Sequence, residues 1–125
     1  MGKRELDGVR KLALALPEVV ERLSHGAPCF FIQGKRPLCY YHDDHRGDGR
    51  VSLWFPVRSG AQEEMADTDP ERFFKPPTSS AGHFKDWLGV FLDTSTVDWS
   101  EIAALLEEAF RTVAPQKLID KLDKR

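Results

Sequence analysis

The side chains able to do chemistry in this chain concentrate between Ser24 and Arg58. Ser24-His25 sets a hydroxyl beside an imidazole, the raw material of a nucleophile and its base. His42-Asp43-Asp44-His45 sets two imidazoles three positions apart with carboxylates between them, donors of the kind that hold metals. Neither spacing is sufficient. Neighbours on a strand face opposite ways, so Ser24 and His25 make no dyad unless a turn folds them back. Two histidines in a glycine-bearing loop fix no geometry, unlike an i, i+4 pair on a helix. Both groups are therefore expected in polar turns, with no catalytic residue, no metal site and no cofactor. Cys29 and Cys39 stand ten positions apart without clustered partners, and are expected as buried, reduced thiols. The chain carries no glycine-rich phosphate loop, nucleophile elbow or Cys-x-x-Cys, and an enzyme is not expected.

Cations and aromatic rings offer a different chemistry. From Gln33 to Arg58 five bases (Lys35, Arg36, Arg46, Arg50, Arg58) face three acids (Asp43, Asp44, Asp48). At the tips of β-hairpins such bases can donate to phosphate oxygens, which makes this set the candidate nucleic-acid contact. The plainer alternative is a pair of solvated turns whose charges balance. Trp54, Trp87 and Trp99 offer ring faces for stacking, with Trp54, opposite the core side of its strand, the best exposed candidate; the plainer reading, and the expected one, is that these tryptophans belong to the core. Lys117, Lys121, Lys124 and Arg125 alternate with Asp120 and Asp123, which predicts a salt-bridged solvent face.

The elements that must position these groups are legible from periodicity and punctuation. Leu6, Val9, Ala13 and Leu16 recur at helical spacing until Pro17. Val19-Val20 predicts a short edge strand leading into the turn Ser24–Pro28. Cys29–Ile32, Leu38–His42 and Val51–Phe55 are rich in aromatic and β-branched residues and read as strands. They are joined by Gln33-Gly34-Lys35-Arg36 and by the glycine-bearing loop His42–Gly49, and Pro37 suits a first position or an edge. Ser59 to Gln62 fits a capping box before a short helix; Asp69-Pro70 opens a helical turn carrying Phe73 and Phe74. Thr78–Asp86 is polar and small, a mobile loop. Trp87–Leu92 is apolar on both faces, which predicts a central strand, and Gly89 within it predicts the close approach of a ring or backbone. Asp98 and Glu101 frame a box before the apolar stripe Ile102, Leu105, Leu106, Ala109, Phe110, Val113, and Pro115 opens a last short helix.

The predicted fold is α+β: one antiparallel sheet of about five strands flanked by N- and C-terminal helices, as a single domain over 1–125. Hydrophobic residues make up 41% and charged residues 30% of 125, the balance of a folded globular chain. The net charge of −2 excludes a domain that grips nucleic acid by overall basicity. No apolar run is long enough to span a bilayer, and the first residues carry acids where a signal peptide would be apolar, so a cytoplasmic protein without membrane partners is expected.

Taken in order, Leu16-Pro17, Ser24-His25-Gly26-Ala27-Pro28 with Phe30, Asp69–Phe74 with Pro76-Pro77, Trp87-Leu88-Gly89-Val90, Asp98-Trp99 and Ala109-Phe110 with Ala114-Pro115 form a set that resembles the MmcQ/YjbR-like family of small bacterial proteins. The resemblance implies a CyaY-like fold and a DNA-binding role through a "double wing" of β-hairpins. It supplies no catalytic set. The chain departs from the family pattern at Thr78–Phe84, where an aromatic-Val-Gly run would be usual. On this resemblance the expected partner is DNA, met through Lys35, Arg36, Arg46, Arg50 and Arg58. The alternative is a protein-binding or small-ligand-binding module with no nucleic-acid role.

Overall fold

Each short turn in the middle of the chain folds a strand back beside its predecessor, and one antiparallel sheet results. The computed structural model describes residues 3–78, 82, 84–94 and 97–124. Its strands are β1 (Val19–Ser24), β2 (Ala27–Ile32), β3 (Arg36–Asp43), β4 (Val51–Pro56), β5 (Phe73–Phe74) and β6 (Trp87–Phe91), in the order β1-β2-β3-β4-β6-β5. The helices are α1 (Lys3–Ala13), α2 (Ala61–Thr68), α3 (Trp99–Val113) and α4 (Gln116–Asp123). The fold is the expected α+β, with six strands rather than about five. No helix among the described residues is long and apolar enough to cross a membrane.

The extra strand corrects the expectation for Phe73 and Phe74. Asp69 does start a turn, since its carbonyl accepts from the N–H groups of Arg72 and Phe73, but the chain then extends. Phe73 pairs with Val90 and Phe74 with Gly89, because an open edge of β6 satisfies their backbone better than a second turn before Pro76 would. Three smaller expectations also change. Helix α1 stops at Ala13, and Leu14–Leu16 make turn bonds ahead of Pro17. Helix α2 is capped by Gly60 with no side-chain acceptor, and the Gln62 amide donates instead to the Trp87 carbonyl at 2.6 Å. Pro37 lies inside the sheet, not at its edge. There the register passes from Phe30↔Cys39 to Phe31↔Pro37, leaving Leu38 as the extra residue of a bulge that absorbs the missing N–H. Of the loop expected over Thr78–Asp86, residues 79–81 and 83 lie outside the described residues.

The N-cap of α3 is as the sequence predicts. The Asp98 carboxylate accepts from the N–H groups of Ser100 (3.0 Å) and Glu101 (3.3 Å). Glu101 does not reach back to complete the box; it pairs with Arg72. The stripe Ile102, Leu106, Ala109 and Phe110 is buried against Phe30, Tyr41, Leu53, Phe55 and Val90 on one face of the sheet. Helix α1 lies on α3, and Gly8 makes the contact possible: a Cβ there would stand 2.5 Å from the Trp99 ring.

The other face is also buried where β4 crosses it. All six residues of β4 are buried, and Trp54, Phe31 and Cys29 lie outside the main core cluster on this second face. Gly89 serves that layer, because a Cβ at its position would meet the Phe74 ring at 2.2 Å. Gly89→Ala therefore forces Phe74 out of the aromatic layer and is expected to destabilise the fold by about 1–3 kcal/mol in urea unfolding. Gly34→Ala, where a Cβ meets no neighbour, is the comparison, and its effect is confined to backbone strain at φ 70.

Candidate functional site

The two-residue connection between β1 and β2 uses His25 (φ 52) and Gly26 (φ 80), the left-handed pair that a tight hairpin demands. It places the Ser24–Pro28 segment beside the start of the loop that links β3 to β4. That loop curls because Asp44 (φ 62) and Arg46 (φ 53) are also left-handed. It is held by its own carboxylates: Asp44 accepts from the Gly49 N–H at 2.7 Å and Asp48 from the Arg50 N–H at 2.8 Å. Asp44 and Asp48 thus tie up backbone donors rather than simply balancing nearby bases. The curl brings His45 back over the sheet, onto His42 and Trp54.

A cleft of about 730 Å³ opens at this end of the second face. Its lining comes from the β1–β2 turn, from Tyr40, His42 and Trp54 on the sheet, from His45 and Arg46 in the loop, and from Pro77, Thr78 and Phe84. The rings form a continuous layer. Phe84 stands edge-on to Tyr40 (5.5 Å), Trp54 (5.2 Å) and Trp87 (5.0 Å), in the geometry that aromatic quadrupoles favour. His42 lies 4.2 Å from Trp54 and 4.4 Å from His45, ring centre to ring centre. Trp54 is only 4% exposed, as the core reading expects, although it points away from the helices: Phe84, His42 and His45 cover it. Two polar atoms in this layer, Trp54 Nε1 and His42 Nε2, are buried with no hydrogen-bond partner among the described residues.

Ser24 and His25 do not act together. The Ser24 hydroxyl lies 3.4 Å from the Tyr40 hydroxyl, while His25 projects at the exposed hairpin tip. Both cysteines are free and buried; burial pushes Cys29 up to about 12 and Cys39 well above its ordinary value, so both remain thiols. Among the described residues no three of His, Cys, Asp and Glu gather into a metal-binding group.

The five candidate cations fall at opposite ends of the sheet. Turns of a meander alternate ends, and the eight residues of β3 put roughly 25 Å between them. Lys35 and Arg36, at the turn between β2 and β3, and Arg58, just past the end of β4, lie at one end. Arg46 and Arg50 lie at the other, beside the cleft and the end of β6. Lys35, Arg46 and Arg58 are exposed. Arg36 donates to the Val113 carbonyl at 2.8 Å, capping the end of α3. Arg50 is committed inside the molecule: it grips Asp93 through Nε and Nη2 at 2.9 Å each, and its guanidinium stacks 3.6 Å above the Phe91 ring. The hydrogen bond from Arg50 holds the Asp93 carboxyl below its ordinary range, and Asp93 also accepts from the Val51 N–H at 2.9 Å.

Sequence reasoning missed Phe84 and Tyr40 as site residues. The available signal was the isolation of Phe84, an aromatic ring within a polar stretch.

Burial, and next to it the neighbouring His45, lowers His42 from 6.5 to about 4, against a smaller opposing pull from Asp48. A histidine depressed in the folded state binds its proton more readily once the chain unfolds. Its contribution to stability is complete above about 6.5 and is lost as the pH falls towards 4. The melting temperature is expected to drop over this window in the wild type and to drop less in His42→Phe, measured by circular dichroism at stepped pH.

The YjbR family model matches residues 14–112. No curated protein matches the sequence. The structure is similar to the crystal structure of the Deinococcus radiodurans protein DR2400, a DUF419 domain, with a TM-score of 0.66 and 21% identity over 90% of this chain and 80% of that one. That identity speaks for the fold alone. The sequence match reaches further, since it takes in all six strands, α2 and most of α3, and by it the chain belongs to the YjbR family.

Proposed function

We propose that this domain is a small-ligand-binding module, not a catalyst, and that its ligand seats in the aromatic cleft between the β1–β2 turn and the β3–β4 loop. The observation that carries this reading is an open cleft of about 730 Å³ lined by the rings of Tyr40, His45 and Phe84 together with the polar side chains of Ser24, His25 and Arg46. Ligand pockets combine apolar and aromatic walls with a few such polar groups, and fall in this size range.

A nucleic-acid role is the second reading, favoured by Lys35, Arg36 and Arg58 sharing one end of the sheet. It excludes Arg50, which is spent on Asp93, and it separates Arg46 from the other three.

Isotope-labelled protein titrated with a library of small aromatic and aliphatic compounds, and separately with duplex DNA, distinguishes the two. The expected outcome is a shift of the Tyr40, His45 and Phe84 resonances with one class of compound, and little change with DNA. Shifts confined to Lys35, Arg36 and Arg58, produced by DNA alone and reversed by salt, would replace the first reading with the second.

A further inference from the structure

Away from the cleft, exposed apolar side chains gather at one margin of the sheet. Among the described residues the large hydrophobic side chains left in water are Leu14 (46% exposed), Val20 (47%) and Leu23 (72%). Val20 and Leu23 belong to β1, and Leu14 lies in the connection that leads into it from α1. Strand β1 ends the sheet, so its outer side has no strand beside it among the described residues. The hairpin fixes which backbone groups that side presents. Ser24 and Ala27 flank the tight turn and exchange both of their ladder bonds, and the pattern alternates from there. Ser24, Arg22 and Val20 therefore bond inward to β2, and the Gln33 N–H, donating to the Glu18 carbonyl at 2.8 Å, continues the alternation. The N–H and C=O groups of Val19, Glu21 and Leu23 face outward. Proteins commonly guard such an edge with a lysine, a proline or a bulge. The other edge is guarded: β5 has two residues and leads on to Pro76-Pro77. Strand β1 has none of these devices, and its register with β2 is unbroken. Both its charges are turned aside: Glu21 is held by Arg10 of α1 at 2.8 Å, and the Arg22 guanidinium sits 4.0 Å over the Phe31 ring.

We infer that β1 is an interface whose occupant is a second copy of this chain, paired antiparallel about a two-fold axis at Glu21. An axis perpendicular to the sheet sets Glu21 opposite Glu21 of the second copy and Leu23 opposite its Val19. In that register the outward backbone groups of one copy meet the outward groups of the other. The side chains agree with it. On the face that the helices cover, Leu23 arrives beside Val19 of the second copy, which belongs to the core, and so continues that core across the edge. On the opposite face Val20 arrives beside Arg22 of the second copy, whose stem and underlying Phe31 ring offer it apolar surface. The symmetry makes each contact twice. At the axis each Glu21 carboxylate brings its own Arg10, so charges of both signs meet there instead of bare carboxylates. A segment of an unrelated protein would have to match this apolar and charged pattern, which the chain itself already supplies. A contact built on one strand pair is small, and association through it is weak and reversible.

The test uses the whole chain, by sedimentation velocity from micromolar to millimolar concentration and by amide hydrogen exchange at both extremes. The expected result is a reversible dimer with a dissociation constant in the micromolar to sub-millimolar range. At high concentration the N–H groups of Val19, Glu21 and Leu23 should exchange more slowly, while those of Val20, Arg22 and Ser24 stay as they were. Leu23→Lys and Val20→Lys place a cation on either face of the strand, at positions that water already reaches, and the amide spectrum of each shows that it is folded. Each should weaken the dimer by about tenfold or more, Val20→Lys through repulsion by Arg22 of the second copy. A monomer throughout the concentration range would overturn the inference. So would a dimer that forms equally well in both variants and leaves the outward amides exchanging freely, since another surface would then hold it. Protection of those amides only when an extended peptide is added, with the chain alone monomeric, would also overturn it and put a partner protein in place of the second copy.

Discussion

Strand β4 is buried along its whole length, and that constraint organises the molecule. A strand with helices on one side only would leave Trp54 in water. Here helices cover Leu53 and Phe55, and the opposite side must find another cover for Ser52 and Trp54. The cover is made of rings from distant parts of the chain: His42 and His45 around one sharp loop, Phe74 from a two-residue edge strand, and Phe84 from the turn just before β6. Gly89 belongs to the same device, because only a residue without a Cβ lets Phe74 lie flat enough to reach Trp54. The layer is thinner than a helix. It closes over the middle of the sheet and leaves the end near Tyr40 open, which is where the cleft lies.

Arginine serves this fold as a strut. Arg10 takes Glu21 in a two-pronged grip and ties α1 to the edge strand β1. Arg72 joins the turn before β5 to Glu101 at the start of α3, and Arg111 joins α3 to Asp123 on α4. Arg50 closes the β3–β4 loop onto Asp93 and Phe91. These groups are exposed enough for solvent to screen them, so the pairs add little to stability. Their service is to fix the angles at which helices and loops meet the sheet. A count of bases along the sequence mixes such struts with cations that are free to meet a partner. Arg50 and Lys35 look alike in the sequence and differ entirely in the fold.

Much of the architecture was legible because local chemistry and tertiary structure agree. The stripe of α3, its Asp98 cap, the aromatic strands and the ring predicted to approach Gly89 all follow from spacing and residue type. What failed were the places where a partner distant in sequence decides. Phe73 and Phe74 take strand geometry because β6 offers an edge, and nothing within the segment announces that edge. Gln62 leaves its predicted capping partner for the Trp87 carbonyl, and Glu101 leaves its own for Arg72. The candidate site was less legible still. Its rings come from four separate segments, and the alternation that marks Trp54 as facing away from the helices says nothing of what faces it in turn.

The division of the cations, by contrast, was implicit in the sequence. Strands joined by short turns run antiparallel, so successive turns leave from alternate ends of a sheet. The turn after β2 and the loop after β3 can therefore never form one tip, whatever their side chains. The turn that does share an end with the β3–β4 loop is the one before β2, at His25-Gly26. That parity joins Ser24, His25 and Pro28 to His42, His45 and Arg46, and it excludes Lys35 and Arg36 from the same surface. A pair of hairpins used as wings in this topology has to be chosen two turns apart. In this chain that choice selects histidines, prolines and a single arginine, a surface poorly suited to a phosphate backbone.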